Sequence, residues 1–331
     1  MKSVHTFQNA AACLLLSLSA ITAPASAVNL TVTHWADGMY GVPFAIALEK
    51  GYFKEAGVDV TGFITSAGGG TTVRNAMASE IPYGEVALPA AIAAATQGIE
   101  LTIVHGGVLS LADIYWVAKA GSPLNSINDL KGKKLGYSSP KSVTDMVSTM
   151  SLDKAGILAD VDRKSVGSLS SAITALREGA IDVAYTTEPV YSREKANFKM
   201  VFRSVDMIPN ATQTVGVVRT DYLKKNPGVI KAIIAARRKG VEFLLKNPAE
   251  AGDIVARQYK ISPENAKASI NEILASKGTY WSTGKLDYEG MNTMLKGLQI
   301  VKAIQPGPFD WDKIVDESQL PADQRKSGQQ K

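Results

Sequence analysis

The 331-residue chain contains one cysteine and three histidines. A lone cysteine, Cys13, excludes a disulfide framework within the chain. It lies in an N-terminal segment that reads as removable, so the remaining protein also lacks a cysteine nucleophile and thiolate metal sites. Only His34 and His105 then remain, too few for the Cys/His sets that hold transition metals, and we expect no metal and no cofactor. No charge of one sign dominates: 36 basic residues stand against 31 acidic ones, and without Lys2 the formal charge falls from +5 to +4. The basic residues are dispersed, with no aromatic-interleaved stripe, which excludes nucleic acid as the expected partner. Gly-x-Ser-x-Gly is absent, so no nucleophile elbow is present. No apolar run reaches the roughly 20 residues a bilayer span needs.

The full sequence is 45% hydrophobic and 20% charged, an ordinary globular composition. Its length predicts about two domains. Lys2 is the only charged residue among the first 27. An apolar run from Ala10 to Ile21 follows it, and Ala25-Ser26-Ala27 supplies a small-x-small cleavage pattern. Residues 1–27 are therefore expected to be a cleaved signal peptide, placing the protein in the periplasm. The alternative, a buried N-terminal helix, has nothing polar to give it a solvent face. Cys13 lies near the start of the apolar run instead of closing it, which is the wrong place for lipid modification at a cleavage junction.

From Leu30 onward short β-rich runs alternate with helical patterns, predicting βαβ units and a parallel sheet. Strands are expected at 30–34, 58–64 and 85–88, with helices at 43–50 and 71–78. Pro43 suits a first helical turn and Gly51 a helix end. A second set follows Gly121-Ser122-Pro123: strands at 134–137, 164–166 and 182–185, with helices at 143–155 and 171–178. A strand at 215–219 and helices at 227–245, 248–259, 263–276 and 288–301 complete the chain. The tail from Ala322 lacks apolar periodicity and is expected to be mobile.

Three blocks carry a resemblance: the run from Ala47 to Val60, ALEKGYFKEAGVDV; the run from Ser126 to Gly136, SINDLKGKKLG; and the run from Ala175 to Ala184, ALREGAIDVA. They resemble, in order, the substrate-binding proteins of ABC importers for nitrate, sulfonates, taurine and thiamine precursors. The resemblance implies a type II periplasmic binding fold of two α/β lobes around a hinged ligand cleft. Residues 28–116 and 217–331 would form lobe one, and 117–216 lobe two. It also implies a monomer that captures a small molecule and delivers it to an ABC permease, and through the permease to its ATPase, without chemistry.

Ligands of open α/β sheets sit beyond the carboxyl ends of strands, so loops after strands supply the candidate contacts. Gly69, Gly70, Thr71 and Thr72 open a helix where glycines allow close backbone approach and free N–H groups favour an anion. Ser139, Ser142 and Thr144 repeat that logic in lobe two. Trp35 and Tyr40 are candidate apolar walls, and Leu88, Pro89 and His105 end further strands. Thr187 and Glu188 end a strand of lobe two, where Glu188 would receive a donor or face solvent at a helix start. His34 reads as a hydrogen-bonded strand-end residue. Arg74 and the Arg237-Arg238-Lys239 run read as solvated faces. The expected ligand is a small organic anion such as a sulfonate, carboxylate or nitrate. A thiamine-precursor pyrimidine is the alternative, and an enzyme on the same fold is disfavoured by the missing cysteines.

Overall fold

The computed structural model describes residues 28–66 and 68–326, so the expected signal peptide and residues 327–331 lie outside the described residues. Two five-stranded mixed sheets organise the chain. The first contains β1 (Val28–Val32), β2 (Val60–Ile64), β3 (Tyr83–Ala87), β4 (Leu101–Gly106) and β10 (Thr214–Arg219) in the order β2-β1-β3-β10-β4. β1 pairs in parallel with β2 and β3, while β10 runs antiparallel to both its neighbours. The second contains β5 (Ile114–Lys119), β6 (Lys134–Tyr137), β7 (Asp162–Ser165), β8 (Val183–Thr187) and β9 (Phe198–Arg203) in the order β7-β6-β8-β5-β9. Here β6 is parallel to β7 and β8, and β5 is antiparallel to β8 and β9.

The chain thus crosses between the sheets twice, through residues 107–113 and 204–213. A boundary at 116 would divide β5, and one at 216 would divide β10. Strands β4, β5 and β9 have no counterpart among the expected elements 30–219 above. β4 and β5 are buried, with apolar residues facing both sides and no alternation to mark them, while β9 is a half-buried edge strand.

Helices of eight or more residues are numbered here: α1 (Val42–Glu49), α2 (Gly69–Ala78), α3 (Leu88–Thr96), α4 (Val143–Lys154), α5 (Leu169–Glu178), α6 (Pro227–Lys246), α7 (Pro248–Tyr259), α8 (Pro263–Ala275) and α9 (Tyr288–Ile300). Proline occupies the first turn of α1, α3, α6, α7 and α8, where a missing N–H costs nothing. α4 starts at a Ser142 cap whose hydroxyl accepts from the Asp145 N–H. α9 crosses from the first sheet's side to pack on α4, and Gly297 makes that approach possible: a Cβ there would lie 3.1 Å from the Met146 Cβ. The tail differs from expectation as far as residue 326. Arg325 donates to the Leu320 and Ser318 carbonyls, and the Lys326 N–H reaches Glu317, which pins it to the body.

Arg237 corrects another expectation. It is 1% exposed, and its Nε donates to Glu85 Oε2 at 2.6 Å. Its other nitrogens reach the carbonyls of Ser282 and Gly107, and Thr214 donates to the second Glu85 oxygen at 2.8 Å. The pair ties α6 to the centre of the first sheet.

Candidate functional site

The ends of β1, β3, β6 and β8 and the starts of α2, α4 and α5 converge between the sheets on one enclosed cavity. Tyr40, Gly69, Ser142, Thr144 and Thr187 line it as expected. Thr33, His34, Asp37, Ser138, Tyr185 and Thr214 line it too, and sequence reasoning had not selected them. The rule that ligands sit beyond strand ends could have found Thr33, Ser138 and Tyr185, which close or follow β1, β6 and β8.

Hydroxyls dominate the second lobe's side. Ser138 Oγ lies 2.9 Å from Ser142 Oγ and 2.8 Å from Thr144 Oγ1, and the Ser138 N–H donates to Thr144 at 2.9 Å. This cluster fixes the turn into α4, leaving that helix start facing the cavity. From the first lobe α2 begins at Gly69 on the opposite wall. Two helix N-termini, each carrying partial positive charge, therefore face one space.

His34 and Asp37 sit in the loop after β1. His34 adopts a left-handed backbone with φ 49°, and Ala36 follows with φ 65°, uncommon geometry concentrated at the cleft. Burial pulls the His34 pKa down to about 4, so the imidazole is neutral near pH 7. Burial raises the Asp37 carboxyl. Asp37 carries the one carboxyl group among the described lining residues.

The lobes touch at several points around the cavity and beyond it. Thr187 Oγ1 lies 3.4 Å from the Asp37 carbonyl oxygen. A Cβ on Gly69, whose φ is +61°, would stand 2.8 Å from Ser139 Oγ. Ser269 of α8 donates to Glu188 at 3.0 Å. With the lobes so apposed the cavity holds only about 20 Å³, water-sized space, and an organic ligand requires them to part.

Several expected contacts lie elsewhere. Trp35 stacks on Phe63 at 4.1 Å between ring centres and meets Tyr259 edge-on, inside the first lobe. Leu88 and Pro89 are buried in the first turn of α3, whose start is held by the Leu88 N–H bond to the Gln213 carbonyl. Thr72 is fully buried against Ser66 and Thr33. Gly70, Thr71 and Ser139 face a separate outer groove. His105 is wholly buried in β4, between the Tyr83 hydroxyl at 2.7 Å and the Gly106 carbonyl at 2.9 Å, because its strand is covered on both faces. Glu188 points into the hinge rather than the cavity or solvent. It is 0% exposed and accepts from Tyr115, Ser192 and Ser269.

A second buried carboxyl, Asp113, lies on the first crossing segment. Oδ1 accepts from Gln213 Nε2 at 2.7 Å, and Oδ2 has no partner among the described residues. Burial pushes its pKa up to about 7, and the unpartnered oxygen is the natural seat of the proton.

The described lining offers hydroxyls, two helix N-termini and one carboxyl group. The profile of the family described as NMT1/THI5 like matches residues 39–251. The chain belongs to that family. Among curated relatives, a binding protein of Brucella abortus is 27% identical over 227 residues, covering 67% of this chain and 68% of its own. The riboflavin-binding protein RibY of Chloroflexus aurantiacus is 23% identical over 260 residues, covering 74% and 73%. The formylaminopyrimidine-binding protein of Halalkalibacterium halodurans is 26% identical over 215 residues, covering 63% and 64%.

The NMT1/THI5-like chain also shares its fold with the periplasmic nitrate-binding protein NrtA of Synechocystis PCC 6803, at 14% identity and TM-score 0.73, covering 92% of each chain. The periplasmic aliphatic sulphonate-binding protein SsuA of Escherichia coli gives 14% identity and TM-score 0.67 over 88% of this chain and 91% of its own. The two-lobe periplasmic-binding-protein fold is thereby established. The desulfurization enzyme DSZB has it as well, with TM-score 0.62 and 13% identity over 88% and 97% of the two chains, so the fold by itself does not separate binding from catalysis.

Gly69 gives this site a direct test. Gly69→Ala places a Cβ against Ser139 and strains a left-handed residue, at about 1 kcal/mol for the unliganded protein. Cleft affinity should fall further, by about tenfold or more, since the closed form alone suffers the clash. Gly70→Ala meets only Arg74 Nη1 at 3.4 Å and should leave affinity within about threefold. Urea unfolding without ligand and calorimetric titration with it separate the two effects.

Proposed function

We propose that the protein is the periplasmic solute-binding component of an ABC importer, capturing one small organic anion between its lobes and presenting the closed form to the permease. It acts as a monomer and alters no bond of its ligand. The observation that carries this reading is the pair of helix N-termini, at Gly69 and Val143, facing one hydroxyl-lined cavity from opposite lobes. Such ends hold an anionic head without a lysine or arginine. A carboxylate or sulfonate fits between them, and closure around it follows the hinge mode of two-lobed receptors. Binding-protein relatives support capture over catalysis, and the pattern at Ala25-Ser26-Ala27 supports export, with Val28 the expected first residue of the exported form.

One observation favours a second ligand class. Asp37 places a carboxyl group at the cavity, suited to an N–H donor, and two relatives are named for binding riboflavin and formylaminopyrimidine. A nitrogen heterocycle is that alternative. A thermal-shift screen of the exported protein against sulfonates, carboxylates, nitrate, flavins and pyrimidines decides between them. A shift confined to sulfonates or carboxylates supports the first reading, and one confined to heterocycles the second. A ligand recovered chemically changed after incubation would contradict both.

A further inference from the structure

Outside the closed cavity, a groove of about 690 Å³ runs along α2 and α3 of the first lobe and is walled by residues 139–141 of the second. Its lining is largely apolar: Val73, Met77 and Ala94 contribute to it, together with Ile99, which is 46% exposed. Two cations border it, Arg74 from α2 and Lys141 from the second lobe. Among the described residues neither has a carboxylate within 4.0 Å. Arg74 donates to Thr71 Oγ1, and the nearby Asp145 is occupied by Arg163 and by the Lys141 backbone N–H. Lys141 is held in a left-handed backbone, φ 63°, by that last bond, at the point where its loop meets the groove.

We propose that this groove is a second, lobe-spanning site for an amphipathic organic anion, a carboxylate or sulfonate on an alkyl chain. Its head group lies between Arg74 and Lys141, and its chain lies along Met77 and Ile99. The two unpaired cations supply the charge complementarity, and the apolar wall supplies the reason for a chain rather than a bare ion. The inner cavity, at about 20 Å³, cannot hold such a chain while the lobes stay together, whereas the groove lies mostly on the first lobe and gains its second cation from residues 139–141 of the second. Its occupant contacts both lobes and therefore favours the form in which they are apposed.

The test is calorimetric titration of the exported protein with butane-, hexane- and octanesulfonate below micellar concentrations, beside inorganic sulfate and octyltrimethylammonium. Affinity should rise about threefold to fourfold for each methylene buried. Sulfate and the ammonium should bind at least about tenfold more weakly than octanesulfonate. The double variant Arg74→Ala/Lys141→Ala, at an exposed and a half-buried position, and the single Ile99→Asp, at an exposed one, should each lose about tenfold or more for octanesulfonate, while Thr187→Val in the inner cavity should change it by less than about threefold. No octanesulfonate binding, affinity untouched by both groove variants, or affinity lost only in Thr187→Val would overturn the proposal. The cleft reading is judged separately, because its screening hits must respond to Thr187→Val and not to Ile99→Asp.

Discussion

Arg237→Ala should cost about 3–5 kcal/mol of stability, because it removes the cation paired with Glu85, which is buried in the centre of the first sheet. For a chain of this size that corresponds to a fall in Tm of about 10 °C. Arg237→Lys should recover only part, since one ammonium cannot reach Glu85 and the Ser282 and Gly107 carbonyls in the guanidinium's fork geometry. The double variant Arg237→Met/Glu85→Gln should recover more than Lys does, as it removes the unpaired carboxyl itself. Thermal unfolding of the four proteins checks the order. A single Arg237→Ala within about 1 kcal/mol of the parent would show that water reaches Glu85 and that the pair is dispensable.

The second large effect concerns pH. Burial lowers the His105 pKa to about 3 from 6.5, with the Arg237 charge adding to the fall. A depressed histidine is neutral when folded and protonated when unfolded between those values. Its contribution to stability is complete above about pH 6.5 and is lost as the pH drops, at about 1.4 kcal/mol per pH unit. Asp113 acts in the opposite direction. Its raised pKa, about 7, means the folded state holds a proton that the unfolded state releases, so its contribution is complete below about pH 4 and is lost as the pH rises through 7. The slopes are separable by mutation. Between pH 4 and 6.5, His105→Gln should flatten the rise of stability with pH by about 1.4 kcal/mol per unit, and Asp113→Asn should steepen it by a similar amount. Urea unfolding of the three proteins at pH 4.5, 5.5 and 6.5 gives the slopes. Parallel lines would mean that neither group titrates as its burial dictates.

Arg237 also shows how far the sequence could be read. On α6 the buried positions Ile230, Ile233, Ile234, Arg237, Val241 and Leu244 follow a single helical stripe. Periodicity therefore already put Arg237 on the inner face, but grouping it with Arg238 and Lys239 as a charge run hid that. Lys239 itself does behave as a surface residue, pairing with Glu55 at 2.7 Å. Helices with a polar face, such as α5, were legible because one side meets water. β4 and β5 were not, because both faces are covered.

At the site, the expected residues coincide with the cavity lining where a strand hands over to a helix in small hydroxyl residues, as at Ser142 and Thr144. The two part where direction mattered. Glu188 and Thr187 are neighbours, yet adjacent side chains leave a strand end on opposite sides, so one faces the cavity and the other the hinge. Asp37 and His34 gave no such signal, because the loop after β1 is set by two left-handed residues that composition does not reveal.

The central claim is that one small molecule binds between the lobes and that their closure holds it. Calorimetric titration of the exported protein and of Gly69→Val with the strongest ligand from the screen tests it most directly. The account predicts one site per chain in the parent and a loss of about a hundredfold or more, roughly 2.7 kcal/mol, in the variant, whose branched side chain cannot fit against Ser139 when the lobes meet. Equal affinities in the two proteins would place the ligand somewhere other than this cleft.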